Sequence, residues 1–283
     1  MKLGTSAFIL LLATVMMSSC KSEKPKKDIG LQLWSVRDAM SSDVQGTIEK
    51  VGQIGYTYVE AAGYNDGQFY GMSPVDFKAL LEKNGLKMKG SHTGLNLPDS
   101  AGWDNAMQWW DECIAAHMAV GAEWIVKPSM GGDAYRSLDT LQRYCDYFNA
   151  VGEKCNAAGI RFGYHNHAHE FDTELDGQLF YDYLLQHTDP SKVMMELDLY
   201  WIKQGGKEAV DYFSRYPGRF ELYHVKDETE LGPTGTMNFK PDFENAAKAG
   251  MKNYVVEVER YNFDPIESVR MSYDFLNQAD FTP

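Results

Sequence analysis

The sequence is poor in cysteine and carries fewer basic than acidic residues. Four of its 283 residues are cysteine, and lysine plus arginine number 27 against 40 for aspartate plus glutamate, which gives a formal charge of −13. An acidic chain repels a phosphate backbone, which argues against nucleic acid as a partner. Cys145 and Cys155 lie about 15 Å apart along one predicted helix, too far for a disulfide, and no cysteine-rich zinc motif is present.

The sequence also lacks a hydrophobic run long enough to cross a bilayer. Its one extended apolar stretch, residues 7–17, is about half of the roughly 20 residues that a membrane-spanning helix needs. Lys2 precedes this stretch and Cys20 follows it after two serines, a pattern that resembles a bacterial lipoprotein signal. The resemblance implies removal of residues 1–19, lipidation of Cys20, and export to the periplasm or the cell surface. A plain secretory signal is the alternative, and it also implies export.

A helix followed by a strand is the unit that repeats through residues 28–283, after a polar segment, residues 20–27, that we expect to be a flexible tether. Six glycines end helix-like stretches and precede short β-branched or aromatic runs; they are Gly55, Gly85, Gly121, Gly159, Gly218 and Gly250. Residues 29–34 and 192–197 complete a set of eight strands. Eight such units in a span close to roughly 250 residues predict a (β/α)8 TIM barrel. An open, doubly wound sheet is the alternative, but its glycine-rich nucleotide motifs are absent.

Polar residues stand at the ends of most predicted strands. They are Glu60, His92, Lys127, His165, Asp198, His224 and Glu257. Barrel enzymes place their active site at the carboxyl ends of the strands, so we expect these side chains to meet in one ring. Residues two apart in a strand share a face. On the fifth to eighth strands the pairs that share a face are His165 with His167, Glu196 with Asp198, His224 with Lys226, and Glu257 with Glu259.

The chemistry of this ring points to a metal ion. Carboxylates and imidazoles buried together need a compensating positive charge, and a divalent cation is its simplest source. Mixed imidazole and carboxylate ligands suit Mn²⁺, Co²⁺, Zn²⁺ or Fe²⁺ better than Ca²⁺. The sequence therefore predicts a metal site at the mouth of strands five to eight.

Six short motifs follow the predicted strands in order. They are GLQLWSVRD, GYTYVE, YHNHAHEF, ELDLYW, YHVKD and VVEVER. Together they resemble the xylose isomerase-like sugar (phosphate) isomerase/epimerase family over nearly all of residues 28–280. The resemblance implies that a divalent metal is held by one residue from each of the last four strands, namely His165, Asp198, His224 and Glu257. Family epimerases carry a glutamate at the position of His165, whereas inosose dehydratase-like members have a similar histidine-rich string.

The resemblance implies an isomerase or epimerase that forms an enediolate by removing a proton next to a sugar carbonyl. Glu257 would be the base, His165 or His167 would return a proton, and the metal would act as a Lewis acid. Lys226 would stabilise the developing oxyanion. The same groups could instead expel a leaving group, as a keto-sugar lyase or dehydratase acting, for example, on 3-keto-glycosides.

Two further classes remain as alternatives. A non-catalytic sugar-binding lipoprotein is one, and a nuclease of the related endonuclease branch, disfavoured by the acidic charge, is the other. The expected partner is a small sugar or keto-sugar, and the membrane is contacted only through the lipid anchor. Substrate contacts are expected from Trp34, Glu60, His92, Lys127 and Trp201, because tryptophan faces stack on sugars and polar side chains bind hydroxyls.

Several of these residues have a simpler interpretation. Trp34 could plug the barrel, and Lys127 could lie free on the rim. Glu196 is expected to orient a metal-bound histidine, and Glu259 to pair with Arg260 or another surface cation. Two histidines on predicted helices, His117 and His187, are expected to face solvent. Two residues in the loop after the fifth strand, His169 and Glu170, could reach the substrate.

Overall fold

A computed structural model of the protein describes residues 27–232 and 235–283. The predicted signal, Cys20 with its predicted lipid, and all but the last residue of the predicted tether lie outside the described residues. Lys27, that last residue, donates from Nζ to the carbonyl oxygen of Leu276 at 3.2 Å. The chain therefore enters the folded domain beside its last helix.

Eight parallel strands pair edge to edge and close into a barrel. In chain order they are β1 (Gly30–Gln32), β2 (Tyr58–Ala61), β3 (Lys87–His92), β4 (Trp124–Lys127), β5 (Arg161–His165), β6 (Val193–Asp198), β7 (Leu222–Lys226) and β8 (Asn253–Glu257). Each strand pairs with the next in the chain, and β8 closes the barrel by placing Val255 opposite Gly30 of β1. The predicted (β/α)8 barrel is confirmed.

Helices surround this barrel and connect its strands. They are α1 (Arg37–Ser42), α2 (Val44–Ile54), α3 (Pro74–Lys83), α4 (Trp103–Val120), α5 (Leu138–Ala157), α6 (Phe180–His187), α7 (Leu199–Gln204), α8 (Ala209–Arg215), α9 (Lys240–Glu244), α10 (Ala246–Ala249) and α11 (Pro265–Gln278). Gly121 and Gly250 end α4 and α10 in the left-handed conformation that glycine adopts without strain. None of the described helices combines the length and hydropathy of a bilayer-spanning segment.

A floor of packed side chains fills the barrel interior below the strand ends. Its members are Tyr58, Trp124, Val126, Met194, Leu222 and Val255. The rings of Tyr58 and Trp124 meet edge to face, with centroids 6.2 Å apart. Glycines make room for both rings, since a Cβ at Gly30 would overlap Tyr58 and one at Gly90 would overlap Trp124. Large side chains facing glycines thus fill the interior at close packing.

Gly90→Ala should destabilise the barrel, because the added methyl group displaces the indole of Trp124 from Glu60, to which its Nε1 donates at 2.6 Å. We expect the free energy of unfolding to fall by about 1–3 kcal/mol, measured by urea denaturation. Gly132→Ala is the matched control, since no atom lies within 4 Å of a Cβ there. Equal stabilities of the two variants would contradict this packing.

Candidate functional site

A cavity of about 340 Å³ opens at the carboxyl ends of the strands. It is lined by Trp34, Ala62, His92, Pro128, Ser129, His165, His167, Glu257 and Glu259. Its volume lies within the range of about 300–1,000 Å³ that is typical of small-molecule sites. Acidic, imidazole and aromatic side chains therefore converge where a barrel enzyme binds its substrate.

Asp198, His224 and Glu257, from β6, β7 and β8, form what we call the upper cluster. All three are buried. Oδ2 of Asp198 lies 3.2 Å from Nδ1 of His224, and that nitrogen lies 3.7 Å from Oε2 of Glu257. His165 approaches from β5, with Nε2 3.9 Å from the same Asp198 oxygen. The four predicted metal ligands are thus brought together, three of them with donor atoms within 4.8 Å of one another.

A second group, the inner cluster, consists of His92, His165, Glu196 and His224. Glu196 precedes Asp198 by two residues on β6, so it shares that face but lies one layer deeper in the barrel. Its Oε2 lies 2.5 Å from Nε2 of His92 and 3.2 Å from Nδ1 of His165. Donor atoms of all four residues lie within 4.8 Å of one another. His224 is a member of both clusters, and His165 belongs to the inner cluster and also lies beside the upper one.

Glu60 and its partners border the inner cluster on the side of β1 to β4. The carboxylate accepts hydrogen bonds from Nε2 of Gln32 at 2.8 Å and from Nε1 of Trp124 at 2.6 Å, and it lies 3.1 Å from Nε2 of His92. Burial alone would lower the pKa of His92, but the charges of Glu60 and Glu196 outweigh it and raise that pKa well above its usual range. His92 is therefore an imidazolium paired with the Glu60 carboxylate, whereas burial and the charge of Glu60 raise the pKa of Glu196 well above its usual range.

The upper cluster holds too little positive charge for its carboxylates. Burial raises the pKa of Asp198 to about 7, and burial lowers the pKa of His224 to about 4. Both shifts favour the neutral form of a group that water would leave charged. A cation bound between these groups would reverse the preference of Asp198, because it favours an ionised carboxylate, and would match that of His224, because it binds an unprotonated imidazole nitrogen.

The residues present fit a bound metal ion. Nδ1 of His165, Nε2 of His224 and Oε1 of Glu196 are buried without a hydrogen-bond partner, which is costly unless something else satisfies them. Imidazole nitrogens with carboxylate oxygens form the donor set of Mn²⁺, Co²⁺, Zn²⁺ or Fe²⁺ sites. The described residues can therefore hold such an ion, and its identity is left open by the donor set.

Lys226 supplies a positive charge at the mouth. Its Nζ donates to Oε2 of Glu257 at 3.0 Å and also contacts Glu259, and it lies 5.4 Å from the centre of the Trp201 ring. Burial would lower the pKa of Lys226, but these carboxylates and Asp198 raise it above its usual value. The ammonium group is therefore charged beside the upper cluster.

Glu259 is the first of the predictions that the structure overturns. The sequence predicts a surface cation as its partner, whereas its carboxylate contacts the buried ammonium of Lys226 and lines the cavity. Arg260 instead lies 3.9 Å from Glu228. The physical reason is strand alternation, which keeps Glu259 on the inward face that Glu257 occupies. Glu259 is therefore part of the site.

The turn after β5 orients His167. The carboxylate of Glu170 accepts a hydrogen bond from the backbone N–H of His167 at 2.9 Å and from the hydroxyls of Tyr164 at 2.6 Å and Tyr135 at 3.1 Å. Glu170 is fully buried in this role and does not line the cavity, whereas His169 is largely exposed beside Tyr135. Burial lowers the pKa of His167, so its ring is neutral at pH 7.

Two tryptophans flank the opening. Trp34 lines the cavity with 45% of its surface exposed, so it does not plug the barrel. It is held by its backbone N–H, which donates to Oε1 of Gln32 at 3.0 Å. Trp201 is half-buried, with its ring centroid 5.9 Å from that of His167. Both aromatic faces are placed where a sugar ring could stack.

Lys127 is not at the mouth, which corrects its prediction as a substrate contact. Val126, its neighbour on β4, belongs to the floor, so the side chain of Lys127 leaves the barrel on the opposite face. Its Cδ and the ring of Trp110 on α4 both pack against Gly94. The rim alternative is also wrong, because Lys127 is buried, and burial lowers its pKa to about 8.

The expectation that His117 faces solvent is also wrong. The residue is fully buried, with Nε2 2.6 Å from Oγ of Ser91 and Nδ1 2.7 Å from the carbonyl oxygen of Cys113. The α4 face that carries His117 packs on the outer face of β3, which explains the burial. His187 is half-buried and stacks on Tyr183, with ring centroids 3.7 Å apart.

Gln32 and Trp124 support the site although the sequence motifs do not single them out. Both orient Glu60, as described above, and both lie on inward strand positions. Gln32 is two residues before Trp34, and Trp124 is two before Val126. Alternation was the signal that could have found them.

The fold and the polar mouth define a (β/α)8 barrel with an enzyme-like site at the carboxyl ends of its strands. The chain belongs to the xylose isomerase-like TIM barrel family, whose model matches residues 48–279. The family supports the sequence prediction of a sugar isomerase/epimerase-like barrel.

Individual relatives agree with this family. A sugar phosphate isomerase/epimerase from Parabacteroides distasonis ATCC 8503 is 31% identical, covers 91% of this chain and 100% of its own, and superposes with a TM-score of 0.84. An inosose dehydratase of Geobacillus kaustophilus is 22% identical over 64% of this chain, and the match spans 60% of that protein. The IOLI protein, solved with a binding zinc atom, shares the fold at 13% identity and a TM-score of 0.67, covering 90% of this chain and 98% of its own.

Lys226→Met should destabilise the metal-free protein strongly, because it leaves the buried carboxylate of Glu257 beside that of Glu259 without a cation. We expect a loss of about 3 kcal/mol in the free energy of unfolding, measured by urea denaturation in the presence of chelator. Lys252→Met is the matched control: its ammonium is exposed and pairs with Glu221 at 2.8 Å, so its loss should cost less than about 1 kcal/mol. Similar losses in both variants would show that Lys226 does not hold the mouth together.

Proposed function

We propose that the protein is a divalent-metal-dependent sugar isomerase or epimerase that acts through an enediolate. The observation that carries this proposal is the upper cluster, in which Asp198, His224 and Glu257 present donor atoms within 4.8 Å of one another. Lys226 lies at hydrogen-bond distance from Glu257, and Glu257 lines a cavity of sugar size. Membership of the family and the resemblance to an isomerase/epimerase of known structure support it.

A divalent ion would be held by Asp198, His224 and Glu257, with His165 completing the set. When bound, it would supply a Lewis acid that stabilises negative charge on a sugar oxygen. The distances of 3.2 Å and 3.7 Å from Nδ1 of His224 to the oxygens of Asp198 and Glu257 support this assignment.

Two kinds of proton-transfer group face the cavity. Glu257 is a carboxylate that can take the proton from the carbon next to the carbonyl. His165 and His167 line the same cavity. Burial lowers the pKa of each ring, so both are neutral at pH 7, and either ring readily gives up a proton that it has received. A reversible isomerase needs an acceptor for each direction of the reaction. The carboxylate would serve one direction, and a histidine the other.

Lys226 and Trp34 would bind and orient the sugar. The Lys226 ammonium, held between Glu257 and Glu259, can donate to the oxygen on which charge develops in the enediolate. Trp34 presents its face at the opening and can stack on the apolar face of the ring.

Elimination is the second candidate reaction. The fifth strand carries His165 with His167 two residues on, and a histidine that has accepted a proton can deliver it to a leaving group β to the carbanion. A relative at 22% identity is named an inosose dehydratase, which supports this alternative. Both reactions begin with the same proton abstraction and separate only at the next step.

Solvent exchange distinguishes these reactions. Protein freed of metal by chelator, then supplied with Mn²⁺, Co²⁺, Zn²⁺ or Fe²⁺, is incubated in D2O with unphosphorylated sugars and 3-keto-sugars and followed by proton NMR. An isomerase or epimerase incorporates deuterium next to the carbonyl and yields an isomer of equal composition. A lyase instead releases water or an aglycone. Sugar binding without exchange by any loaded form would favour the non-catalytic binder and contradict the proposal.

Glu257→Gln should slow this exchange by at least about 100-fold, because the amide cannot take up the proton. Glu221→Gln is the matched control: Glu221 immediately precedes β7 at the other end of the barrel and pairs with Arg161 at 2.9 Å. Its exchange rate should equal that of the wild type. Equal exchange rates in Glu257→Gln and the wild type would show that Glu257 is not the base.

Trp34→Ala should raise KM about tenfold, corresponding to about 1.4 kcal/mol of lost stacking, and leave kcat nearly unchanged. Trp103→Ala is the control, because Trp103 is a similarly exposed tryptophan on α4 that packs on Tyr147 and does not line the cavity. KM and kcat of both variants are measured by steady-state kinetics on the substrate that the exchange experiment identifies. An unchanged KM in Trp34→Ala would exclude the stacking role.

A further inference from the structure

The inner cluster contains buried polar atoms that the proposed reaction leaves without a partner. They are Nδ1 of His165, Oε1 of Glu196 and Nε2 of His224. The residues that carry them are at most 3% exposed. Each such atom costs about 1–3 kcal/mol if nothing satisfies it. Three unpartnered atoms on residues that lie side by side in the fold point to one missing partner that all three would share.

The side chains of the inner cluster surround one point. The rings of His92, His165 and His224 have centroids 4.9 Å, 4.6 Å and 5.3 Å apart. Glu196 reaches into the same space, with Oε2 2.5 Å from His92 and 3.2 Å from His165. One donor atom from each residue lies within 4.8 Å of the other three. Donors about 2.1 Å from a common ion lie at most about twice that distance apart, so small side-chain shifts suffice.

The buried acidic groups of this layer are compatible with a bound cation. Glu60 and Glu196 are both fully buried, and His92 is the group that bridges them, at 3.1 Å and 2.5 Å. Lys226 is engaged with Glu257 and Glu259 one layer above. Burial and the charge of Glu60 raise the pKa of Glu196 well above its usual range, so without an ion this layer balances its charge by keeping a proton on Glu196. A bound dication would take the place of that proton and of the second proton on His92.

We propose that His92, His165, Glu196 and His224 form a second cation site, one layer beneath the upper cluster. Three imidazole nitrogens with one carboxylate oxygen suit a transition ion such as Zn²⁺ or Co²⁺ and not Mg²⁺ or Ca²⁺, which take oxygen ligands. Glu60 remains outside the ligand set and contributes its charge from beside His92, where Gln32 and Trp124 hold it.

The inner ion would prepare the upper cluster. Nδ1 of His224 faces Asp198 and Glu257, while its Nε2 is the orphaned atom. An ion bound at Nε2 fixes the orientation of the ring and places the one proton of the ring on Nδ1, which then donates to Asp198, as the second nitrogen of a ligating histidine does elsewhere. With an ion in the upper cluster as well, that proton is lost and the ring bridges the two ions as an imidazolate. This site goes beyond the proposed function, which requires only the upper cluster.

Metal content tests the proposal without reference to activity. The chelator-treated chain is equilibrated with Zn²⁺ or with Co²⁺, freed of excess ion, and analysed by mass spectrometry of the metal. We expect two ions per chain in the wild type, one in Glu196→Gln and one in Asp198→Asn. Glu170→Gln is the matched control, since it removes an equally buried carboxylate outside both clusters and should retain two ions.

The outcomes separate this proposal from the proposed function. Equal metal content in Glu196→Gln and the wild type overturns the inner site. Equal content in Asp198→Asn and the wild type overturns the upper site and leaves the inner one standing. If Glu196→Gln does not fold, crystals of the wild type soaked in Zn²⁺ decide by anomalous scattering. A peak within bonding distance of His92 and Glu196 supports the inner site, and a map without a peak there contradicts it.

Discussion

The burial of several carboxylates in one recess is the constraint on which the rest of this site depends. Glu60, Glu196 and Asp198 are fully buried and Glu257 nearly so, and each ionised group removed from water costs several kcal/mol unless it is compensated. The compensating groups differ by layer: His92 supplies an imidazolium and Lys226 an ammonium. Where neither reaches, buried nitrogens of His165 and His224 are left without a partner. The chemistry of the mouth is therefore set by where positive charge is short.

The barrel supports this arrangement by pairing large with small residues beneath it. Gly90 leaves room for the indole of Trp124, and that indole in turn donates to Glu60. Gln32 divides its amide between Glu60 and the backbone of Trp34. Packing in the floor and hydrogen bonding at the mouth are thus coupled. A change in side-chain volume in the floor would alter the hydrogen bonds of the carboxylates above it.

Strand alternation predicted much of this from the sequence, and the errors arose where it was not applied. It placed the inward residues of β5 to β8 correctly, including Glu259, whose partner was wrong only because a surface cation was preferred. Lys127 was placed at the mouth because it is the polar residue that ends the run after Gly121. The residues that face inward there are its neighbours, Val126 in the floor and Pro128 just beyond β4. The depth of Glu196 relative to His92 depends on how strands are staggered in a closed barrel, which no local pattern contains. The lipid anchor and export remain predictions from residues 1–20.

The floor closes the lower end of the cavity. Tyr58 and Trp124 leave almost no surface exposed, so that end offers no open path for water, and a hydrogen removed from a ligand exchanges with solvent on the side that Trp34 lines. Retention of a labelled hydrogen within one turnover would then report how well a bound ligand excludes water from that side. An interior glycine far from any ligand would, through the ring it accommodates, help to decide whether a hydrogen is returned or lost.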